Sequence, residues 1–434
     1  MNRRTLIGNF AQVTASLAIL SALSLGAVHA GERDLETVEP AAVGMSAEGL
    51  GKLSAAMQGF VDRGVLAGVV TVVARHGKVA HFEAYGKQDI ASGVPMAKDT
   101  IFRIYSMTKP IAGVALMTFY EEGRFQLDDP VAKYIPEFAD LKVAKAPGPD
   151  GQPVVEDAHH PMTIRELVSH TAGLTYGFFS RSQVDTLYVR ANVLDRNSTL
   201  KDMVTKLGGI PLRQQPGSAW HYSVAVDVQG YIVEVLAGKP FDAVLKERIF
   251  DPLGMKDTGF WIKPEDEPRT ATMYQQRGGA LTVNPSREYF TKPALFSGGG
   301  GLVSTAMDYT RFSEMMLNGG ELEGVRILKP ETVELMHTNQ LPEGIDFINP
   351  QIGNPGNTFG IDVAIVAAPD AETDHPLAKG EYWWYGAGGT WFGINPVQDL
   401  IVVGMIQKFG VPGPKEVRVT SKRLAYEAIA DPAG

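Results

Sequence analysis

The alternation of apolar and polar positions changes period several times along the chain, and each change predicts an element. Residues 46–62 read as a helix capped by Ser46 and stopped at Gly64. Residues 68–74 are rich in β-branched side chains and read as a strand; His76-Gly77-Lys78 is a turn, and 79–85 is the returning strand. From Thr108 to Glu122 the helical pattern is apolar nearly all round, with Ile111, Val114, Leu116, Met117 and Phe119, which is the mark of a helix buried in a larger core. Helical patterns at 163–169, 199–207 and 226–236 fill the middle third, separated by loops rich in Pro and Gly. Strand patterns return at 359–366, 382–385, 390–394 and 400–406, with Asn395-Pro396-Val397-Gln398-Asp399 as a turn, and a helix over about 415–430 closes the pattern. Strands at both ends of a chain commonly share one antiparallel sheet. The expected architecture is therefore α+β, an antiparallel sheet flanked by helices plus a mainly helical domain, with the site in the cleft between them. The lobes are expected at 40–105 with 295–434, and at 106–294.

The first thirty residues break this pattern. A basic start at Arg3-Arg4 precedes an apolar Ala/Leu-rich stretch and Val28-His29-Ala30, which suits a cleavage site. The segment reads as a secretory signal with a twin-arginine-like start, implying a periplasmic or secreted bacterial protein without a stable membrane anchor after cleavage. Its removal takes the net charge from −9 to −11. The composition is otherwise that of a soluble globular chain, 44% hydrophobic and 21% charged over 434 residues. An acidic chain without a Lys/Arg-rich run gives no electrostatic reason to expect nucleic acid.

Cysteine is absent, which excludes disulfides, thiolate metal sites and thiol nucleophiles. The nine histidines are scattered without His-Glu-x-x-His, so neither metal nor cofactor is expected. Gly-x-Ser-x-Gly is absent too. What remains is Ser-x-x-Lys, whose two polar ends share one face of a helix. If burial lowers the lysine pKa, the amine can take the serine proton. Two copies occur, Ser106-Met107-Thr108-Lys109 and Ser198-Thr199-Leu200-Lys201. Ser198 follows a polar turn and reads as a helix cap. Ser106 opens the buried apolar helix, where backbone N–H groups favour developing negative charge, and Pro110 fits only in a first helical turn.

The stretch Asp99-Thr100-Ile101-Phe102-Arg103-Ile104-Tyr105-Ser106-Met107-Thr108-Lys109-Pro110 resembles the nucleophile region of the serine β-lactamase-like superfamily, closest to the class C β-lactamase fold and the family VIII carboxylesterases built on it. Agreement in order and spacing extends to Leu127-Asp128-Asp129-Pro130-Val131, to His170-Thr171-Ala172-Gly173-Leu174, to Trp220-His221-Tyr222-Ser223 and to the glycine-rich loop at 297–304. The resemblance implies that Ser106 attacks the substrate carbonyl, that Lys109 holds or accepts its proton, and that Tyr222, with a phenol pKa lowered between lysines, acts as base. The backbone N–H groups of Ser106 and Ala387 would form the oxyanion hole, with Tyr105, Ser223, Trp384 and Gly386 binding substrate.

Two departures bear on substrate. Val224 stands where class C enzymes carry Asn. Lys-Thr-Gly, which attracts the lactam carboxylate, is absent; Trp384-Tyr385-Gly386 stands at its place by order. The expectation is an acyl-enzyme serine hydrolase on short-chain carboxylic esters. Amide or lactam hydrolysis (β-lactamase, D-aminopeptidase, DD-peptidase, ω-amino-acid oligomer hydrolase) and acyl transfer remain open, as does a non-catalytic binder of cell-wall peptide. The small-molecule partner is thus an ester or amide; the sequence leaves the oligomeric state open.

Overall fold

The computed structural model describes residues 34–347, 356–410 and 414–432, and the expected signal segment lies outside them. Residues Leu35–Gly434 group as one unit. The elements that place the site are the helices α1 (Ala47–Asp62), α2 (Thr108–Glu121), α3 (Ile164–Val168), α4 (Gln183–Arg190), α5 (Leu200–Gly208), α6 (Ala225–Ala237), α7 (Ala306–Leu317) and α8 (Pro414–Glu427). The strands are β1 (Gly68–Arg75), β2 (Lys78–Gly86), β3 (Asn357–Phe359), β4 (Ala364–Val366), β5 (Tyr382–Tyr385), β6 (Trp391–Asn395) and β7 (Leu400–Met405).

The seven strands form one antiparallel sheet in the order β3-β4-β5-β6-β7-β1-β2. β1, from early in the chain, and β7, from late in it, pair one strand in from the β2 edge, where Val72 sits opposite Val403 on one side and Phe82 on the other. β1 and β7 are buried along their whole length, because helices cover both faces. One face carries the small core of α1 and α8, with Leu53, Met57, Val69, Val402 and Trp391. The other continues into the large core that holds α2, α6 and α7. The all-round apolar pattern of α2 has this cause: eleven of its fourteen residues are buried, Lys109 among them.

Three expectations change in detail. The apolar run 359–366 is two strands, because Asp362 takes a left-handed conformation (φ 60°) in a turn closed by Gly360 N–H to Val363 O at 2.9 Å. Ser198 does not cap α5; its hydroxyl donates to Asp195 O at 2.9 Å, and Thr199 accepts the Asp202 N–H in a capping box. Ser106 lies in a 3₁₀ turn, Tyr105–Met107, that feeds into α2 instead of being the helix's own first residue. Ser46 does cap α1, accepting the Gly49 N–H at 3.1 Å.

Candidate active site

Four segments distant in sequence converge on Ser106. The first is its own turn, which Tyr105 enters with φ 44°, a conformation that costs a bulky side chain free energy and is held here by packing. Phe102–Arg103 pairs with Val303–Ser304, and Ile104 N–H donates to Leu302 O at 3.1 Å, so the glycine-rich loop is sewn alongside the turn. None of residues 298–301 has a positive φ. Their lack of a side chain serves close approach instead: a Cβ on Gly301 would stand 2.8 Å from Ser297 O, and one on Gly299 2.8 Å from the Tyr176 hydroxyl. The third segment is 220–223, where His221 N–H donates to His170 O at 2.8 Å and so places Tyr222 just ahead of α6. The fourth is β5, which packs on the Ser106 turn and leads into the exposed Ala387.

The three expected reactive groups meet. Lys109 Nζ lies 3.2 Å from Ser106 Oγ and donates to Gly299 O at 2.6 Å. The Tyr222 hydroxyl lies 2.7 Å from the same Oγ. Lys109 Nζ also sits over the Tyr222 ring, 4.5 Å from its centroid. Burial pushes the Lys109 pKa down to about 7, against the opposing pull of Asp227 and Asp362. At neutral pH a substantial fraction of the amine is therefore unprotonated and able to accept a proton.

The phenol behaves opposite to expectation. Burial raises the Tyr222 pKa well above its ordinary value; Ser106 and Trp384 oppose this, while Asp227 and Asp362 add to it. Among the described residues one lysine, not two, lies against its ring, and the two hydrogen bonds do not outweigh the loss of water. In this arrangement the Lys109 amine and the Tyr222 hydroxyl both reach Ser106 Oγ, the amine with its pKa lowered and the phenol with its pKa raised by burial.

The expected substrate-binding residues divide. Tyr105 is half-buried at the site, edge-on to Tyr289 with centroids 5.5 Å apart. Gly386 is buried between β5 and the Ser106 turn, where a Cβ would stand 3.0 Å from the Ile104 carbonyl carbon and closer to its oxygen. Trp384 was expected to line the pocket. It is 1% exposed and lies behind Tyr222, with its indole Nε1 3.4 Å from the phenol oxygen. Trp383 and Trp391 are buried as well, the former against Arg418 and Lys422 and the latter in the α1/α8 core. Ser223 turns away from the cleft: its hydroxyl is 3.2 Å from His170 Nδ1 and accepts the Ala225 N–H. The side chain after Tyr222 thus fixes His170, whose pKa burial holds well below the ordinary value.

Sequence reasoning missed several neighbours. Tyr176 lies under Lys109 and against Tyr222, with ring centroids of the two tyrosines 5.2 Å apart. Phe178 and Phe179, 61% and 44% exposed, continue this aromatic wall, and Phe179 stands 5.8 Å from the Tyr222 ring. Asp227 and Asp362 are fully buried carboxyls near Lys109. Each had a faint signal, an acid set into an otherwise apolar run.

Comparison with known proteins finds a family and relatives that span most of the chain. The family profile described as Beta-lactamase matches residues 53–427. Protein Rv1367c of Mycobacterium tuberculosis is 36% identical over 363 residues, covering 81% of this chain and 88% of that protein. Esterase EstB of Burkholderia gladioli is 32% identical, covering 82% and 90%. Among solved structures, EstCE1, described as a hydrolase with promiscuous acyltransferase activity, superposes with a TM-score of 0.74 at 27% identity over 87% of this chain and 99% of that one.

Proposed function

We propose that this chain, which belongs to the β-lactamase family of serine hydrolases, is an esterase that cleaves short-chain carboxylic esters through an acyl-enzyme on Ser106. The observation that carries the reading is Trp384. Where a lactam-cleaving relative would present a lysine to the substrate carboxylate, this chain turns an indole N–H toward the Tyr222 oxygen. Without that cation, anionic lactams lose an attraction that a neutral ester never needed. Phe178 and Phe179 add exposed apolar surface beside the reactive tyrosine, which suits an uncharged acyl or alcohol group.

In the proposed reaction the unprotonated Lys109 amine takes the Ser106 proton as Oγ bonds to the ester carbonyl carbon. The Ser106 and Ala387 backbone N–H groups receive the oxyanion. When the carbon–alkoxy bond breaks, the leaving oxygen takes the Tyr222 proton, and Lys109 returns its proton to the phenolate. Water then repeats the sequence: its proton passes to Lys109, and Oγ leaves with a proton from Tyr222. The sum is ester plus water giving acid plus alcohol.

The test is hydrolysis of p-nitrophenyl acetate and butyrate by wild type and Ser106→Ala, with nitrocefin alongside and a fluorophosphonate probe mapped by peptide mass. Ester turnover and Ser106 labelling are expected, both lost in the variant. Full activity in Ser106→Ala, or nitrocefin turnover far above that of the esters, would overturn the reading.

A further inference from the structure

Asp227 has no step in the reaction above, yet three parts of the site pass through it. It sits on α6 five residues after Tyr222 and is 0% exposed. Its Oδ1 accepts the Ser297 hydroxyl and the Gly299 N–H, the latter at 3.1 Å, while its Oδ2 has no hydrogen-bond partner among the described residues. The carbonyl of the same Gly299 accepts from Lys109 Nζ at 2.6 Å. One residue of the loop is thus gripped by a carboxylate on its N–H side and by the amine on its carbonyl side. A Cβ on Gly299 would lie 3.0 Å from the Asp227 carboxyl carbon, so the approach requires glycine.

We propose that Asp227 is the positioning residue for Lys109: it aims the Gly299 carbonyl at the amine and supplies the negative charge that balances the ammonium form. The inference rests on the esterase reading, in which Lys109 takes the Ser106 proton. The other groups facing Lys109 are the hydroxyls of Ser106 and Tyr222, the Tyr176 ring, the neutral His170 and the carboxyl of Asp362 from the β3–β4 turn. Asp362 is the competing counter-charge. Its Oδ1 accepts one neutral donor, Gln229 Nε2 at 3.0 Å, and its Oδ2 accepts none. Burial raises its pKa to about 8; burial raises the Asp227 pKa too, but there the Ser297 hydroxyl, Lys109 and the Gly299 N–H all pull it back down. Asp227, with two donors on one oxygen, is the carboxyl equipped to carry the charge.

Two variants separate charge from position. Asp227→Asn keeps the accepting Oδ1 and removes the charge; Asp227→Glu keeps the charge and displaces the loop. The readouts are kcat/KM for p-nitrophenyl butyrate and the rate of fluorophosphonate labelling of Ser106, both from pH 5 to 9. Losing the charge lowers the Lys109 pKa, so the acid limb in Asp227→Asn is expected to move about one unit downward. At pH 6 the activity relative to its plateau then rises about fivefold. In Asp227→Glu the limb is expected to stay in place while the plateau falls at least about tenfold. Asp362→Asn is the comparator and should leave the limb near its wild-type position. An unmoved limb in Asp227→Asn, an unchanged plateau in Asp227→Glu, or an equal shift in Asp362→Asn would each overturn the assignment. If wild-type Ser106 takes no label, the esterase reading falls and this one with it; a labelled wild type with unresponsive variants removes this one alone.

Discussion

Gly386→Ala tests whether the turn beyond β5 must lie flush against the nucleophile's own turn. A Cβ there stands 3.0 Å from the Ile104 carbonyl carbon, closer to its oxygen, and close to the Thr390 hydroxyl. Ordinary carbon contacts begin near about 3.5 Å, so β5 and the Ser106 turn must part by roughly 1 Å. Neither side can yield cheaply: Gly386 N–H donates to Thr390 O at 2.8 Å, and Ile104 N–H is tied to Leu302. Overpacking of this kind costs about 1–3 kcal/mol. For a folded unit of this size that is a Tm loss of only about 1–4 °C. The catalytic effect is expected to be far larger, because Ala387 follows directly and its N–H is the proposed second oxyanion donor. Misplacement by about 1 Å, or loss of one such donor, lowers kcat about 100-fold. The control is Gly51→Ala on the exposed side of α1, where a Cβ meets nothing within 4 Å. It should leave kcat unchanged and raise Tm slightly. Initial rates on p-nitrophenyl acetate and a thermal melt decide the matter. A Gly386→Ala protein with kcat within threefold of wild type would refute the oxyanion placement.

Two further outcomes are expected. Trp384→Phe removes the indole N–H from the Tyr222 oxygen, so kcat on p-nitrophenyl butyrate should fall about three- to tenfold, with KM little changed; a raised KM at constant kcat would mean that Trp384 meets the substrate after all. The double variant Phe178→Ala and Phe179→Ala should lower kcat/KM for the butyrate ester about fourfold or more beyond its effect on the acetate, since each lost methylene contact is worth about 0.8 kcal/mol; equal losses on both esters would count against an acyl-binding wall.

Much of this was legible because the relevant patterns are local. The strand runs at 68–85 and 382–406 and the all-round apolar α2 declare themselves by period, and Ser106 with Lys109 by spacing on one helix face. Tyr222 emerged by resemblance, but its protonation did not, because a pKa depends on which charges burial brings together. Trp384 was misplaced for a simpler reason. Side chains on a strand alternate, so in the run Tyr382-Trp383-Trp384-Tyr385 one aromatic looks like another until the partners are known. Ser223 was misread in the same way, its sequence neighbour Tyr222 pointing to the cleft and its own hydroxyl to His170. Asp227 and Asp362 appeared as isolated acids in apolar runs, and only the folded chain shows both near one buried amine.

The pairing of β1 with β7 has a consequence for synthesis. β1 and β2 leave the ribosome early, yet the strand that covers the free edge of β1 is made more than three hundred residues later. At about 5–20 residues per second that edge stays unpaired for roughly a quarter of a minute to a minute. It is a fully buried, β-branched strand in the finished protein, and an open edge of that kind recruits other chains. Yield on overexpression should therefore depend on chaperone supply and on temperature more steeply than the stability of the finished fold would suggest. Every residue of the candidate site, from Tyr105 to Ala387, is made within that interval, so the site's own parts are all synthesised before the strand that closes the sheet.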